Sequence, residues 1–483
     1  MIMVSQLNPN YQQESLKRQQ KREIERQHKK AYKKLQKLTE YTNLPVVFDN
    51  HTVTSYGNFS LIESFKQAIG FIELLQKHLT VNRHHNFRYS TAQLVDIMTD
   101  CICVGLFRFM HMDALKSDPG YCKIKGIEKV PDESTFRQLL AKFEQENISQ
   151  LQQVNQSLLA LKANIEGCRE VWLDIDDTVI TLFGNQEGGE VGYNPRYNGR
   201  PSYKAKVAFV SESAELANIK LYGGKTASNG QFADFFKETL ALLPQRLIVK
   251  GVRMDKGFFD DKNFTFFEDN QIEYVCKVPL KQSIYKIIAY LDDQRAWQRL
   301  DAKYDMAEIT VPLPTWKKAR RFVFIRETVE LKSNEPCLFY PDLYDYEVIV
   351  TNMEDLPPEE VWRWYNKRCN VENKIDELKQ GLAVDQTSQH EMIRNAAFMW
   401  IKALAYNLLN WFKSALMPQE HRHHEVATIR RVLINVPGNI VGNSRYRHVR
   451  LAPNAWLEKT ITIIKENFKV FLKKRAWLMV YVT

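Results

Sequence analysis

Apolar residues recur at helical spacing at Leu61, Phe65, Ile69, Ile72, Leu75 and Leu79, and the same style continues from Leu94 to Met110. This predicts a helical domain. Pro131-Asp132-Glu133-Ser134-Thr135-Phe136 then supplies helix-start signals ahead of Leu139, Leu140 and Phe143, and the polar-faced helix that follows is expected to reach about Ile165. The pattern changes at Val171. Short apolar runs at Val171 to Ile175, Ala205 to Val210 and Leu216 to Leu221 read as strands, Gln231 to Leu243 as a helix, and Leu247 to Val252 as a further strand. Tyr274 to Val278, Ile309 to Val311, Phe322 to Ile325 and Tyr344 to Val350 read as more strands with no helix among the last three, a β-rich insertion. Pro357 and Pro358 open a helical pattern through about Gly381, and a strongly apolar helix is expected from Met392 to Leu416. From Tyr11 to Tyr41 the large apolar residues are only Leu16, Ile24, Tyr32, Leu35 and Leu38, too sparse for a coiled-coil seam.

Length and composition narrow the class. The 483 residues correspond to roughly three domains at about 150 residues each. With 44% hydrophobic and 12% aromatic residues, 19 Gly and 17 Pro, the chain is neither collagenous nor wholly disordered. The run from Ala396 to Phe412 is interrupted by Lys402, Asn407 and Asn410, so no membrane span is expected, and the polar first forty residues argue against export and for the cytoplasm. Seven cysteines without a C-x-x-C pair read as reduced and structural. Lys+Arg exceed Asp+Glu by 67 to 57, a surplus that suggests a polyanionic partner. It lies at the ends: residues 11–40 hold ten basic residues against four acids and residues 441–483 nine against two. The first segment reads either as a solvated charged helix or as an arm along phosphates.

Candidate chemistry sits where strands are expected to end. Val171-Trp172-Leu173-Asp174-Ile175-Asp176-Asp177-Thr178 runs into three carboxylates, and Leu247 to Met254 runs into Asp255 with Gly257 following. Carboxylates at the ends of buried strands call for a compensating cation, and hard oxygen donors suit magnesium or manganese, which contact phosphate oxygens. On the helix after Pro358, Tyr365, Arg368, Glu372 and Lys379 lie at offsets of 0, 3, 7 and 14. At about 100° per residue they share one stripe roughly 60° wide.

With these residues the sequence resembles the DDE transposases of bacterial insertion sequences, in the branch carrying the Y-R-E-K signature. Tyr365, Arg368, Glu372 and Lys379 meet the spacing of that signature without a gap. The wording is similar at Leu173 to Thr178, Phe183 to Glu187, Gly192 to Asn194, Arg253 to Phe259, Val350 to Asn352 and Ala405 to Leu408, so the resemblance covers about Asp132 to Trp411. It implies an α/β fold: a ribonuclease-H-like catalytic core with a β-rich insertion, an N-terminal helical domain and a helical C-terminal region. The implied organisation is a basic arm over 1–45, a helical DNA-binding domain over 46–168, the first part of the core over 169–280, the insertion over 281–356, core helices with the catalytic Glu over 357–416, and a basic C-terminal region over 417–483.

Carried over residue by residue, the resemblance implies Asp176, Asp255 and Glu372 as the catalytic, metal-binding triad, with Asp174 a rival to Asp176. Tyr365, Arg368 and Lys379 would contact the DNA backbone. The implied cofactors are two divalent metal ions, magnesium with manganese as substitute. The implied partners are double-stranded DNA at transposon terminal repeats, target DNA, and a second copy of the chain in a homodimeric synaptic complex, with no membrane and a nucleoid-associated place in the cytoplasm. The implied chemistry is hydrolysis to a free 3′-hydroxyl and transesterification into target DNA, through a hairpin on the transposon end. Trp316, Tyr344, Trp362 and Trp364 are candidates to hold a flipped base in that hairpin, each weighed against a core role. Basic runs at Lys317, Lys318, Arg320 and Arg321, at Arg445 to Arg450 and at Lys473 to Arg475 fit a DNA substrate. Two other classes compete with this reading: a haloacid-dehalogenase-type phosphatase built on Asp174-Ile175-Asp176-Asp177-Thr178, and a non-catalytic domesticated DNA-binding protein.

Overall fold

A computed structural model describes residues 18–39, 52–83, 87–328, 344–442 and 447–481. The chain divides into two compact units, Met1–His51 and Thr52–Thr483. In the first, helix α1 (Arg18–Thr39) is the described element, with every described side chain from Gln20 to Lys37 exposed.

The second unit opens with β1 (Val53–Thr54) and seven helices: α2 (Phe59–Ile69), α3 (Phe71–His78), α4 (Thr91–Val104), α5 (Phe109–Lys116), α6 (Pro119–Lys125), α7 (Glu133–Leu140) and α8 (Gln145–Glu166). The helical spacing from Leu61 to Leu79 is carried by two helices, because Gly70 takes a left-handed conformation (φ 70°) between them. Next come β2 (Arg169–Thr181), β3 (Glu190–Val191), β4 (Pro201–Val210), β5 (Leu216–Gly223), α9 (Phe232–Leu242), β6 (Leu247–Met254), α10 (Asp261–Asp269), β7 (Glu273–Lys277), α11 (Gln282–Asp293), β8 (Gln298–Arg299), β9 (Tyr304–Val311), β10 (Arg320–Thr328) and β11 (Tyr344–Thr351). The chain continues through α12 (Pro358–Asn366), α13 (Cys369–Asp376), a π-helical turn at Glu377–Gly381, α14 (Met392–Leu416), α15 (Val426–Ile429), β12 (Gly438–Gly442), β13 (Arg447–Leu451) and α16 (Ala455–Tyr481).

Ten strands form one mixed sheet in the order β3-β4-β2-β6-β7-β11-β10-β9-β8, with β5 also on β4. β2 is antiparallel to β4 and parallel to β6, and β6 is parallel to β7. The strands expected as a separate insertion hydrogen-bond onto β7 through β11, so the sheet is continuous. α11, with Ile284, Ile288 and Leu291 buried, went unread before them.

α14 is buried along most of its length and gathers α2, α4, α8 and α16 against one sheet face, where Val207 and Phe209 of β4 belong to the same apolar cluster. Its apolar run is thus a core helix, and no described helix is long and apolar enough to cross a membrane. A second apolar cluster joins Phe232, Phe236, Phe264 and Phe267 to Val252 and Met254 of β6. Of the cysteines, Cys101, Cys103, Cys122 and Cys276 are buried and Cys168 and Cys369 exposed, all unpaired, while Cys337 lies outside the described residues, as do Arg445 and Tyr446.

Candidate active site

β2 does not stop at Ile175 as expected. Its pairing with β6 ends at Ile175–Met254, while its pairing with β4 continues to Thr181. Asp176 therefore lies within a strand, but at the level where one neighbour has left. Asp255 leaves β6 at that same level, one residue past the last parallel pair. Two aspartates distant in sequence thus become neighbours through strand register alone.

The third group arrives on a broken helix. The pattern from Pro358 to Gly381 predicts continuity, but α12 ends at Asn366 and α13 begins at Cys369, leaving Arg368 at the break. Arg368 is buried, and its guanidinium donates to Asp176 Oδ2 at 2.6 Å and to Glu372 Oε1 at 3.2 Å. Glu372 itself is 63% exposed at its side chain. Burial pushes the Asp176 carboxyl up to about 6; Arg368 opposes that rise and the charge of Asp255 adds to it. Burial works against the charge of Arg368, yet Asp176, Tyr365, Asp255 and Glu372 together hold its pKa above the ordinary value. Tyr365 is buried beside this guanidinium, with its hydroxyl pKa raised by burial. Lys379, on the π-helical turn, is half-buried and lines the adjoining cleft.

Asp174 has a different role. Fully buried, it accepts from Arg253 Nε at 2.6 Å and from Lys374 Nζ at 3.5 Å. Arg253 also donates to Ser211 Oγ and to the Trp364 carbonyl, and Lys374 to the Ser211 carbonyl at 3.1 Å. Asp174 thus joins β2 and β6 to α12 and α13, and the phosphatase alternative, which needs it as a nucleophile, has no open carboxylate there. Asp177, on the opposite parity, pairs with Lys204 and Lys206.

Among the described residues, one set of three metal-ligating side chains converges within 4.8 Å: Glu63, Asp96 and Asp100. That space is filled by Lys66, 2.5 Å from Asp96, and by Lys125, 2.8 Å from Glu63, with Tyr121 donating to Asp100. It is an internal ion-pair network. Asp176, Asp255 and Glu372 do not converge to that distance, and Arg368 bridges Asp176 and Glu372; by chemical type the three carboxylates are hard oxygen donors of the kind a divalent ion takes.

A cleft of about 890 Å³ begins at Asp177 and Thr178. Its walls carry Arg108, Arg196 and Lys379 together with Phe183, Tyr193 and Tyr197, three aromatics that are all exposed. The Arg200 guanidinium lies 5.1 Å from the Phe183 ring centre. Nothing in the sequence spacing of these residues marks them as exposed or as neighbours.

The aromatics singled out from sequence are packed instead. Trp316 lies against Phe259, Phe264 and Phe322 under Arg320. Tyr344 lies under Arg326, Trp362 donates to Glu347 at 2.9 Å, and Trp364 meets Trp172 edge-on. The basic run divides as well. Arg320 is buried between Asp261 and Glu268, both at 2.5 Å. Arg321 pairs with Glu308 at 2.6 Å, Lys318 with Glu268 at 3.3 Å, and Lys317 is exposed. Arg320 is committed to the fold, since its strand parity places it on the side of buried Phe322 and Phe324.

A family model described as "Transposase DDE domain group 1" matches residues 36–470. No curated protein matches the chain. Among solved structures, a cryo-EM structure of a piggyBac transposase synaptic complex with hairpin DNA is similar at 13% identity with a TM-score of 0.37, covering 86% of this chain and 84% of that one.

Proposed function

The chain belongs to the DDE transposase family, and from that premise we propose that it cuts DNA at the ends of its own insertion element and joins the freed 3′-hydroxyl to target DNA. Asp176, Asp255 and Glu372 form the carboxylate triad. The observation that carries this assignment is the Arg368 guanidinium hydrogen-bonded to both Asp176 and Glu372, beside Asp255 at the end of the neighbouring strand. The strand order β5-β4-β2-β6-β7, with β4 antiparallel to both neighbours and the last three parallel, supports a ribonuclease-H-like core. The uninterrupted Tyr365, Arg368, Glu372 and Lys379 spacing supports the Y-R-E-K branch, and membership of that branch would bring action through a hairpin end by a homodimeric synaptic complex.

The triad would hold divalent ions, magnesium or manganese, which when bound supply Lewis acidity toward the phosphodiester and a more acidic water. Hydrolysis breaks the bond between phosphorus and the 3′ oxygen, leaving a 3′-hydroxyl and a 5′-phosphate. The same alignment then sets that hydroxyl against a second phosphodiester. The chain's own groups prepare the site. Arg368 keeps Asp176 largely ionised at neutral pH and fixes the position of Glu372. Lys379, Arg108 and Arg196 give the adjoining cleft a cationic wall for phosphates, while Phe183, Tyr193 and Tyr197 offer ring faces to unpaired bases. The haloacid-dehalogenase alternative is left without support by the burial of Asp174.

Asp255→Ala and Glu372→Ala should each abolish magnesium-dependent cleavage of a duplex carrying the element's end while changing gel-shift affinity by less than about threefold. Normal cleavage by either variant would remove that residue from the triad.

A further inference from the structure

α1 distributes its charge unevenly around its axis. Between Lys21 and Lys37 it carries eight cations, and the only acids are Glu23 and Glu25. Stepped at about 100° per residue, seven of the eight cations, Arg22 through Lys37, fall within an arc of about 140°. Ile24, Ala31 and Leu35 lie together on the opposite side of the axis. Glu23 is the one acid inside the basic arc, and it pairs with Arg26 at 3.9 Å.

We propose that the basic arc of α1 is a binding surface for the phosphate backbone of duplex DNA, one that reads charge and not base sequence. The inference rests on the DNA reading above but concerns a segment that precedes almost all of the family match, which begins at residue 36. From Arg22 to Lys37 the arc runs about 22 Å at 1.5 Å per residue, long enough to follow phosphates across a major groove about 12 Å wide. An isolated helix of this length is marginal in water, and neutralising its crowded cations against phosphates favours the helical state. An anionic lipid surface would demand a broad apolar face rich in Trp, Phe or Leu; this helix has no Trp or Phe, and its apolar positions are Ile24, Ala31, Leu35 and Leu38 with Tyr32 at the margin.

The test compares the full chain with a variant in which Lys29, Lys30, Lys33 and Lys34 are all changed to Gln, a residue that keeps helix propensity. The probe is a 40-base-pair duplex of mixed sequence lacking any element end, followed by fluorescence anisotropy between 50 and 300 mM salt. The slope of log K against log salt should fall by about 2 to 4, and affinity at 100 mM should drop tenfold or more. A matched variant with Arg at the same four positions should keep the wild-type slope. An unchanged slope in the Gln variant overturns the proposal. So does loss of binding to vesicles containing 30% phosphatidylserine with DNA binding intact, which would assign the arc to lipid. Cleavage of an element end at saturating protein separates the two proposals: a changed slope with no cleavage by the wild type removes the transposase mechanism and leaves the DNA-binding helix standing, whereas normal cleavage with an unchanged slope does the reverse.

Discussion

Substituting Asn at Asp174 and at Asp176 should give opposite phenotypes, although the two residues lie on one face of one strand. Asp174 is fully buried and answers two cations that are themselves almost entirely enclosed, Arg253 at 2.6 Å and Lys374 at 3.5 Å. Breaking a buried pair by neutralising one partner costs about 3–5 kcal/mol, because the other charge stays buried without its counter-ion. The Asn oxygen can still accept from Arg253, returning about 1 kcal/mol. Asp174→Asn should therefore lose about 2–4 kcal/mol. Asp176 differs in two ways: burial pushes its carboxyl up to about 6, so its charge is held at a cost that an amide removes, and Arg368 keeps Glu372 as a counter-ion at 3.2 Å when that charge is gone. Asp176→Asn should keep the wild-type melting temperature, or exceed it, when divalent ions are chelated. The assay is thermal unfolding in EDTA at pH 7.5, run beside magnesium-dependent cleavage of an element end at 20 °C and normalised to folded protein. Asp174→Asn should melt several degrees lower yet cleave within about tenfold of wild type, while Asp176→Asn should melt normally and not cleave. A normally melting but inactive Asp174→Asn, paired with an active Asp176→Asn, would refute the reasoning and move the metal ligand two residues toward the N-terminus.

Three further predictions concern single cations, two buried and one exposed. Lys402, enclosed in α14, donates to the carbonyls of Ala383 and Gln386 at the cleft wall, and burial lowers its pKa to about 7. With a folded value far below its unfolded 10.5, its contribution to stability is full above that unfolded value and is lost as pH falls toward 7. Relative to Lys402→Met, the wild type should lose about 1.4 kcal/mol per pH unit between pH 9 and pH 7; a difference in unfolding free energy that stays constant over that range would contradict it. In the basic run, Arg320→Ala should destabilise by about 2–4 kcal/mol, since it strands Asp261 and Glu268. Lys317→Ala should leave the melting temperature unchanged and shallow the salt dependence of DNA binding by about one unit; the same thermal and salt-titration measurements on both variants check the pair.

Much of the site was legible because it depends on strand order and polarity, which leave marks in sequence. The apolar runs before Asp176 and Asp255 named two strands, and α14 emerged with the bounds its pattern predicted. Burial was harder to read. A period of two puts Asp174 and Asp176 on one side but cannot say that β6 pairs alongside the first and has stopped before the second. The break at Lys367–Arg368 is hidden because Tyr365, Arg368 and Glu372 keep helical spacing across it, and only tertiary contact explains why Arg368 turns to Asp176. Arg320 could have been recognised, since it alternates in step with Phe322 and Phe324. Lys317 to Arg321 look alike as charges and differ by the face of the strand they occupy. The basic arc of α1 was also readable, but counting only its apolar residues missed the segregation of its cations.

The continuity of the large sheet has a consequence for how such a protein can diversify. β11 is hydrogen-bonded to β7, which is hydrogen-bonded to β6, so the segment leading to Glu372 re-enters the sheet two strands from Asp255. The chain between α11 and β10 forms the far edge, yet β9 still packs on α12: the Tyr304 and Trp362 rings lie 4.9 Å apart, and Met306 shares an apolar cluster with Tyr365. Changes on β8, the outermost strand, leave that packing in place, whereas changes on β9 reach the helix that precedes Glu372. On the function proposed above, the sheet is a chassis with one free border: its outermost strand can vary while the elements that carry Asp176, Asp255 and Glu372 keep their places.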